Sequence, residues 1–112
     1  MAYVQVAQSV ARHRKTLRLA RLLNMDRYQV VGRLVEFWSW CLDNAPRGCL
    51  AGVEPDILAD VLDYDGKPSE LVAALLAAEV LEDVGDGFLW VADWGMISGE
   101  TQDDDDADGG ER

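Results

Sequence analysis

The chain has two cysteines, three prolines and a single histidine in 112 residues, and each shortage closes a class of protein. Cys41 and Cys49 are too few for a disulfide scaffold and are not spaced as a CxxC pair. One histidine is a poor set of metal ligands, so no metal and no cofactor is expected. The longest apolar run, Leu71 to Ala78, is far short of the roughly 20 residues that span a bilayer. The first basic residue, Arg12, follows a polar start, so neither a targeting segment nor membrane association is expected. A reducing cytoplasm and two buried thiols follow as the default.

Positive charge is also scarce, and it is unevenly placed. Lys and Arg number 10 against 21 Asp and Glu, for a net charge of −11. Residues 1 to 33 hold seven of the bases and one acid, whereas 34 to 112 hold three bases and twenty acids. Glu100 to Arg112 carries seven acids and no large apolar residue, a composition that cannot bury enough surface to order itself. A domain over 1–99 and a disordered, solvated acidic tail over 100–112 are therefore expected. Within that stretch Asp103 to Asp106 lack the glycine hinge and terminal bidentate Glu of a calcium loop. An acidic protein is repelled from nucleic acid unless one face is locally basic, and only the first third can supply such a face.

What is present is enough for one core: 49% of residues are hydrophobic and nine are aromatic, four of them Trp. Tyr3 to Ala7 alternates weakly, as a short edge strand does. From Arg14 to Leu23 the spacing predicts an amphipathic helix, with Leu19, Ala20 and Leu23 on one face and Arg14, Arg18 and Arg21 in a narrow arc opposite. Asp26 and Gln29 stand at capping-box spacing and start a second helix to about Asp43. Its apolar stripe is Val31, Leu34, Val35, Trp38, Cys41 and Leu42, and Trp40 falls on the other side, near Gln29, Arg33 and Glu36.

Asn44, Pro46 and Gly48 stop that helix, and the segment around Cys49 and Leu50 reads as extended. Pro55 opens a short helix that Ile57, Leu58, Val61 and Leu62 continue, and Pro68 opens another to about Glu79, with Leu71, Val72, Leu75 and Leu76 inward. Gly66 marks the turn between them, which makes the pair a helix-turn-helix candidate. Leu81 to Val84 and Phe88 to Val91 flank Gly85-Asp86-Gly87 as a β-hairpin, and Trp94 is placed to pack back on the domain. The order helix, turn, helix, hairpin predicts an α+β, mostly helical winged helix ending in a C-terminal β-hairpin.

These residues resemble the N-terminal winged-helix domain of phage replisome organiser and DnaD-like replication proteins. The resemblance covers roughly residues 3 to 97. It is carried by His13, Lys15, Leu17, Leu19, Ala20, Leu22 and Leu23, then Gly32 and Leu34, Trp38 and Trp40, and Asp43 to Pro46 with Gly48, Leu50 and Gly52. Ile57 and Ala59, Ala73 and Leu75, and the closing Asp93-Trp94 complete it. Ala92 stands where that family often has a histidine. The resemblance implies a module of assembly and DNA association that, in that family, stands at the front of a longer protein loading helicase at an origin.

Catalysis finds little support. Ser9, Ser39, Ser69 and Ser98 form no recognisable nucleophile–base pairing, and the single His13 lies among Arg12, Arg14 and Lys15 with no carboxylate to orient it. Gly85 to Gly87 is a turn rather than a phosphate loop, which needs GxxxxGK[ST] before a helix. The outward positions of the second helix of the pair are Ser69, Glu70, Ala73, Ala74 and Ala77, which supply no Arg, Lys, Asn or Gln to read base edges. Glu82, Asp83 and Asp86 on the hairpin repel phosphate.

Two surfaces remain as candidates. Arg12, Arg14, Lys15, Arg18 and Arg21 form a basic stripe that either holds a nucleic-acid backbone, is an ordinary solvated face, or pairs with the protein's own acids. Arg33, Phe37 and Trp40, with the small outer residues Ala73 and Ala77, are the candidate protein-binding positions. The alternatives are that Trp40 is covered by the region of Trp90 and Trp94 and that the alanine face is merely exposed. The expected function is non-enzymatic: an accessory module of phage-type DNA replication or another DNA transaction, working through protein contacts with weak, sequence-tolerant backbone binding. Its expected partners are a protein, weakly held DNA and a second copy of the chain. The competing expectation is an acidic, nucleic-acid-mimicking inhibitor of a host or defence enzyme.

Overall fold

In the computed structural model, which describes residues 4, 6, 9–85 and 88–98, regular structure begins with a single 3-10 turn, Val10–Arg12. Helix α1, Arg14–Leu23, follows at once: His13 is its N-cap, and the ring Nδ1 accepts the Lys15 backbone N–H at 3.2 Å. Asn24 ends it in the left-handed region at φ 56°, with its N–H turned back onto the carbonyls of Ala20 and Arg21, one of the ordinary uses of Asn after a helix. Helix α2, Arg27–Asn44, starts on a complete capping box. Asp26 Oδ1 accepts the N–H groups of Tyr28 and Gln29 at 2.9 Å each, and Gln29 Oε1 accepts that of Asp26 at 3.3 Å.

Helices α3, Pro55–Val61, and α4, Pro68–Ala77, both carry proline in the first turn, where no intrahelical partner is lost. Strands β1, Leu81–Asp83, and β2, Leu89–Val91, pair antiparallel with Glu82 opposite Trp90. The turn between them contains Asp86 and Gly87, which lie outside the described residues. A third extended piece lies along the other side of β2. Leu50 N–H donates to Leu89 O and Val91 N–H to Gly48 O, each at 2.8 Å, with Cys49 bridged to Trp90. Helix α5, Trp94–Ser98, closes the described chain. Among the described residues, five helices and one antiparallel hairpin make the fold α+β and mostly helical.

One close approach explains a glycine. Gly48 has φ +83°, and a Cβ built there would stand 2.6 Å from the Trp94 ring. Trp94 is buried over that backbone, and its indole N–H donates to Pro46 O at 2.8 Å, so the turn after α2 and the start of α5 are fixed together. The core is built around α2, where Phe37 and Cys41 are wholly inaccessible and Val30 and Leu34 nearly so. Leu19 of α1, Leu58 and Leu62 of the α3 region, Leu71 and Leu75 of α4, and Leu81 complete it.

Several expectations need correction. The buried line of α2 runs through Val30, Leu34, Phe37 and Cys41, while Val31, Val35, Trp38 and Leu42 are only half-buried. The buried line is shifted from the apolar stripe because α1, α3 and the 3-10 turn all pack against this helix. Ala74 is buried rather than outward. Helix α4 stops at Ala77, two residues early, because Glu79 takes a left-handed backbone at φ 65°. Helix α5 was not anticipated. Val4 and Val6 belong to no regular element, Tyr3, Gln5 and Ala7 lie outside the described residues, and so does the acidic stretch 100–112.

Candidate functional site

Helix α1 places the basic stripe as its spacing requires. Arg14, Arg18 and Arg21 are exposed along it, Arg12 is exposed on the preceding 3-10 turn, and Lys15 is half-buried. The five are not equivalent. Lys15 Nζ meets Asp93 Oδ2 at 3.2 Å, and Arg18 Nε donates to Ala77 O at 3.0 Å. Ala77 is the last residue of α4, so the guanidinium sits on one of the end carbonyls that lack a partner within the helix, at the negative end of its dipole. The side chains of Arg12, Arg14 and Arg21 make no hydrogen bond or ion pair among the described residues.

Arg14, Lys15 and Arg18 line one shallow depression of about 450 Å³ with Ala77, Ala78 and Glu79. Arg21 lines a second, at the turn from α1 to α2, together with Leu17, Asn24 and Arg27. Arg27 and its neighbour Tyr28 were not anticipated as part of the basic face. The Arg27 guanidinium stands over the Tyr28 ring at 5.1 Å and donates to its hydroxyl at 3.1 Å, leaving the tyrosine 66% exposed. The adjacent Arg-Tyr pair directly after a basic helix was the available signal. It adds an aromatic surface to the basic stripe.

The candidate protein-binding positions do not form one surface. Phe37 is 0% exposed and belongs to the core, because this position of α2 turns inward. Trp40 is half-buried and packs against the core. Arg33 Nη1 donates to Leu62 O at 2.8 Å and to Asp63 O, and pairs with the Asp63 carboxylate at 3.3 Å, capping the end of α3. Ala73 and Ala77 are exposed on α4, and Ala77 lies at the arginine stripe rather than beside Trp40.

An apolar cavity of about 450 Å³ lies where the 3-10 turn, α2 and α5 meet, lined by Val10, Leu34, Trp38, Val80, Met96 and Ile97, with His13, Lys15 and Asp93 also along it. The Trp38 indole N–H is buried without a hydrogen-bond partner among the described residues. Cys41 is buried, and loss of solvation pushes its thiol up to about 12, far from the range of a nucleophile. Among the described residues no group of three His, Cys, Asp or Glu side chains could hold a metal ion, and no helix is long and apolar enough to cross a membrane. No protein family model, no curated protein and no solved structure matches the chain.

Proposed function

We propose that the chain is a non-enzymatic winged-helix accessory of DNA transactions, of the phage replication type, which works through protein contacts and holds a nucleic-acid backbone weakly through α1. The order α2, extended segment 48–50, α3, α4, hairpin supports the winged-helix reading, since the extended segment lies along the hairpin as a third strand. The observation that carries the nucleic-acid reading is the row of guanidinium groups of Arg12, Arg14 and Arg21, unpartnered among the described residues, on the exposed side of an otherwise acidic protein. With Arg27 and Tyr28 continuing the row, the face offers charge for phosphates and a ring for an unstacked base. The helix-turn-helix pair opposes sequence reading, because Ser69, Glu70, Ala73 and Ala77 are its exposed positions on α4.

Arg12, Arg14 and Arg21 give the cleaner test, because Arg18 also holds α4. The wild-type protein should bind duplex DNA weakly and irrespective of sequence, with a salt slope of about −2 to −3 at roughly −0.9 per neutralised phosphate. Arg12→Glu, Arg14→Glu and Arg21→Glu together should abolish that binding with the fold intact. Binding that survives the triple change, or no wild-type binding even at about 20 mM salt, overturns the reading.

One observation favours the competing class. Glu54, Asp56, Asp60, Asp63, Asp65 and Glu70 are all exposed on α3, α4 and their connection, where Lys67 is the lone base. A concentration of exposed carboxylates on described elements, of which Asp63 is paired with Arg33, suits an inhibitor that imitates nucleic-acid charge and occupies a basic groove of a host or defence enzyme. Recovery of a nucleic-acid-binding enzyme from nuclease-treated host lysate, lost when these acids are changed to Asn or Gln, would favour it over the accessory module.

A further inference from the structure

We infer that the arginine face of α1 is the docking surface of this chain's own acidic segment, residues 99–112, and that the segment competes there with nucleic-acid phosphate. The inference rests on the nucleic-acid reading for its consequence but not for the contact itself.

Three observations carry it. The first is position. Helix α5 ends at Ser98, and Met96 and Ile97 line the same cavity as His13 and Lys15, so the chain leaves the described fold beside the N-terminal end of α1. The second is a precedent within the chain. Asp93, immediately before α5, already sets its carboxylate on Lys15 at 3.2 Å, so one acid of this part of the sequence occupies the basic face. The third is charge complementarity. Residues 99–112 hold seven acids and one base, and the row they would meet, Arg12, Arg14 and Arg21, has no other acidic partner among the described residues.

The distances are compatible. From Lys15 to Arg21 the helix rises about 9 Å at 1.5 Å per residue. Asp103 to Asp106 stand five to eight positions beyond Ser98, a contour of roughly 17 to 27 Å. The four consecutive carboxylates can therefore lie along the whole stripe while the chain remains attached, and attachment raises their local concentration to the millimolar range at which weak ion pairs fill. Competition follows from chemistry shared with the nucleic-acid backbone: a carboxylate and a phosphate oxygen accept the same guanidinium hydrogen bonds.

The test uses the full chain with its acids neutralised: Asp103→Asn, Asp104→Asn, Asp105→Asn, Asp106→Asn and Asp108→Asn, with Glu100→Gln and Glu111→Gln. Backbone amide NMR spectra of this variant and the wild type are compared without nucleic acid at about 20 mM and about 500 mM salt. The expected result is that the amides of Arg12 to Arg21 differ at low salt and converge at high salt, unchanged by dilution, while those of α4 before Ala73 coincide throughout. The neutralised variant should also bind duplex DNA about two- to tenfold more tightly at low salt. Coincident α1 amides at low salt overturn the docking, and differences that vanish on dilution overturn its intramolecular form. Altered α1 amides in a protein that binds no DNA would sustain the docking and sink the nucleic-acid reading, so the two failures are distinguishable.

Discussion

Arg18 and Ala77 lie 59 residues apart in sequence and are joined by one hydrogen bond, from the arginine Nε to the alanine carbonyl at 3.0 Å. The bond turns one member of a surface stripe into a fastener between α1 and the end of α4. The five basic residues therefore have two roles. Lys15 and Arg18 hold the protein together, while Arg12, Arg14 and Arg21 face outward.

Arg18→Met keeps most of the aliphatic stem and removes the donor. It should lower unfolding free energy by about 1 kcal/mol, the ordinary size of such a bond at an accessible site, as read by urea denaturation. It should weaken DNA binding less than Arg21→Met does. A variant as stable as the wild type would mean that water replaces the bond at no cost.

Phe37 and Trp40 should behave oppositely to a pattern in which both are surface anchors. Phe37→Ala empties the centre of the core and should cost about 3–5 kcal/mol, enough to unfold a small domain. Phe37→Leu should cost about 1–2 kcal/mol and still fold. Trp40→Ala, at a half-buried position, should cost about 1–2 kcal/mol. Denaturation midpoints that rank Trp40→Ala below Phe37→Ala would contradict this packing.

Cys41 and Cys49 should differ in reactivity. Burial pushes the Cys41 thiol up from 9.0 to about 12, whereas Cys49 is half-exposed. At pH 8 a soluble disulfide reagent should modify Cys49 in the native protein and Cys41 only on unfolding. The linkage has a definite sign. The folded thiol holds its proton more tightly than the unfolded one, so its contribution to stability is full below about pH 9 and declines as pH rises toward 12. The stability difference between wild type and Cys41→Ala should therefore narrow between pH 9 and 11 in equilibrium unfolding. A difference that stays constant would remove the linkage.

Features encoded by neighbouring residues are legible in the sequence alone. Both ends of α1, the Asp26–Gln29 capping box, prolines in the first turns of α3 and α4, and the hairpin around Gly85 all depend on groups a few positions apart. What is not legible depends on distant partners. Val30 and Phe37 displace Val31 and Val35 from the centre because several elements pack around α2, and the periodicity of one helix cannot say which side each neighbour takes. The basic residues of α1 are visible, but nothing local marks Lys15 as the partner of Asp93 or Arg18 as the partner of Ala77. Helix α5 escapes notice because five residues with glycine among them have no period to read.

The bridge between Cys49 and Trp90 means that β2 closes two loops of very different length. The β1–β2 hairpin joins residues close in sequence and can form within microseconds. The segment from Gly48 to Leu50 meets β2 only after a loop of about 40 residues has closed, and that loop contains all of α3 and α4. Of the two pairings made by β2, the one with Gly48 to Leu50 therefore carries the larger entropic cost of closure. Because closure entropy grows only with the logarithm of loop length, residues added at the exposed Asp65 to Lys67 connection should raise that cost only slightly.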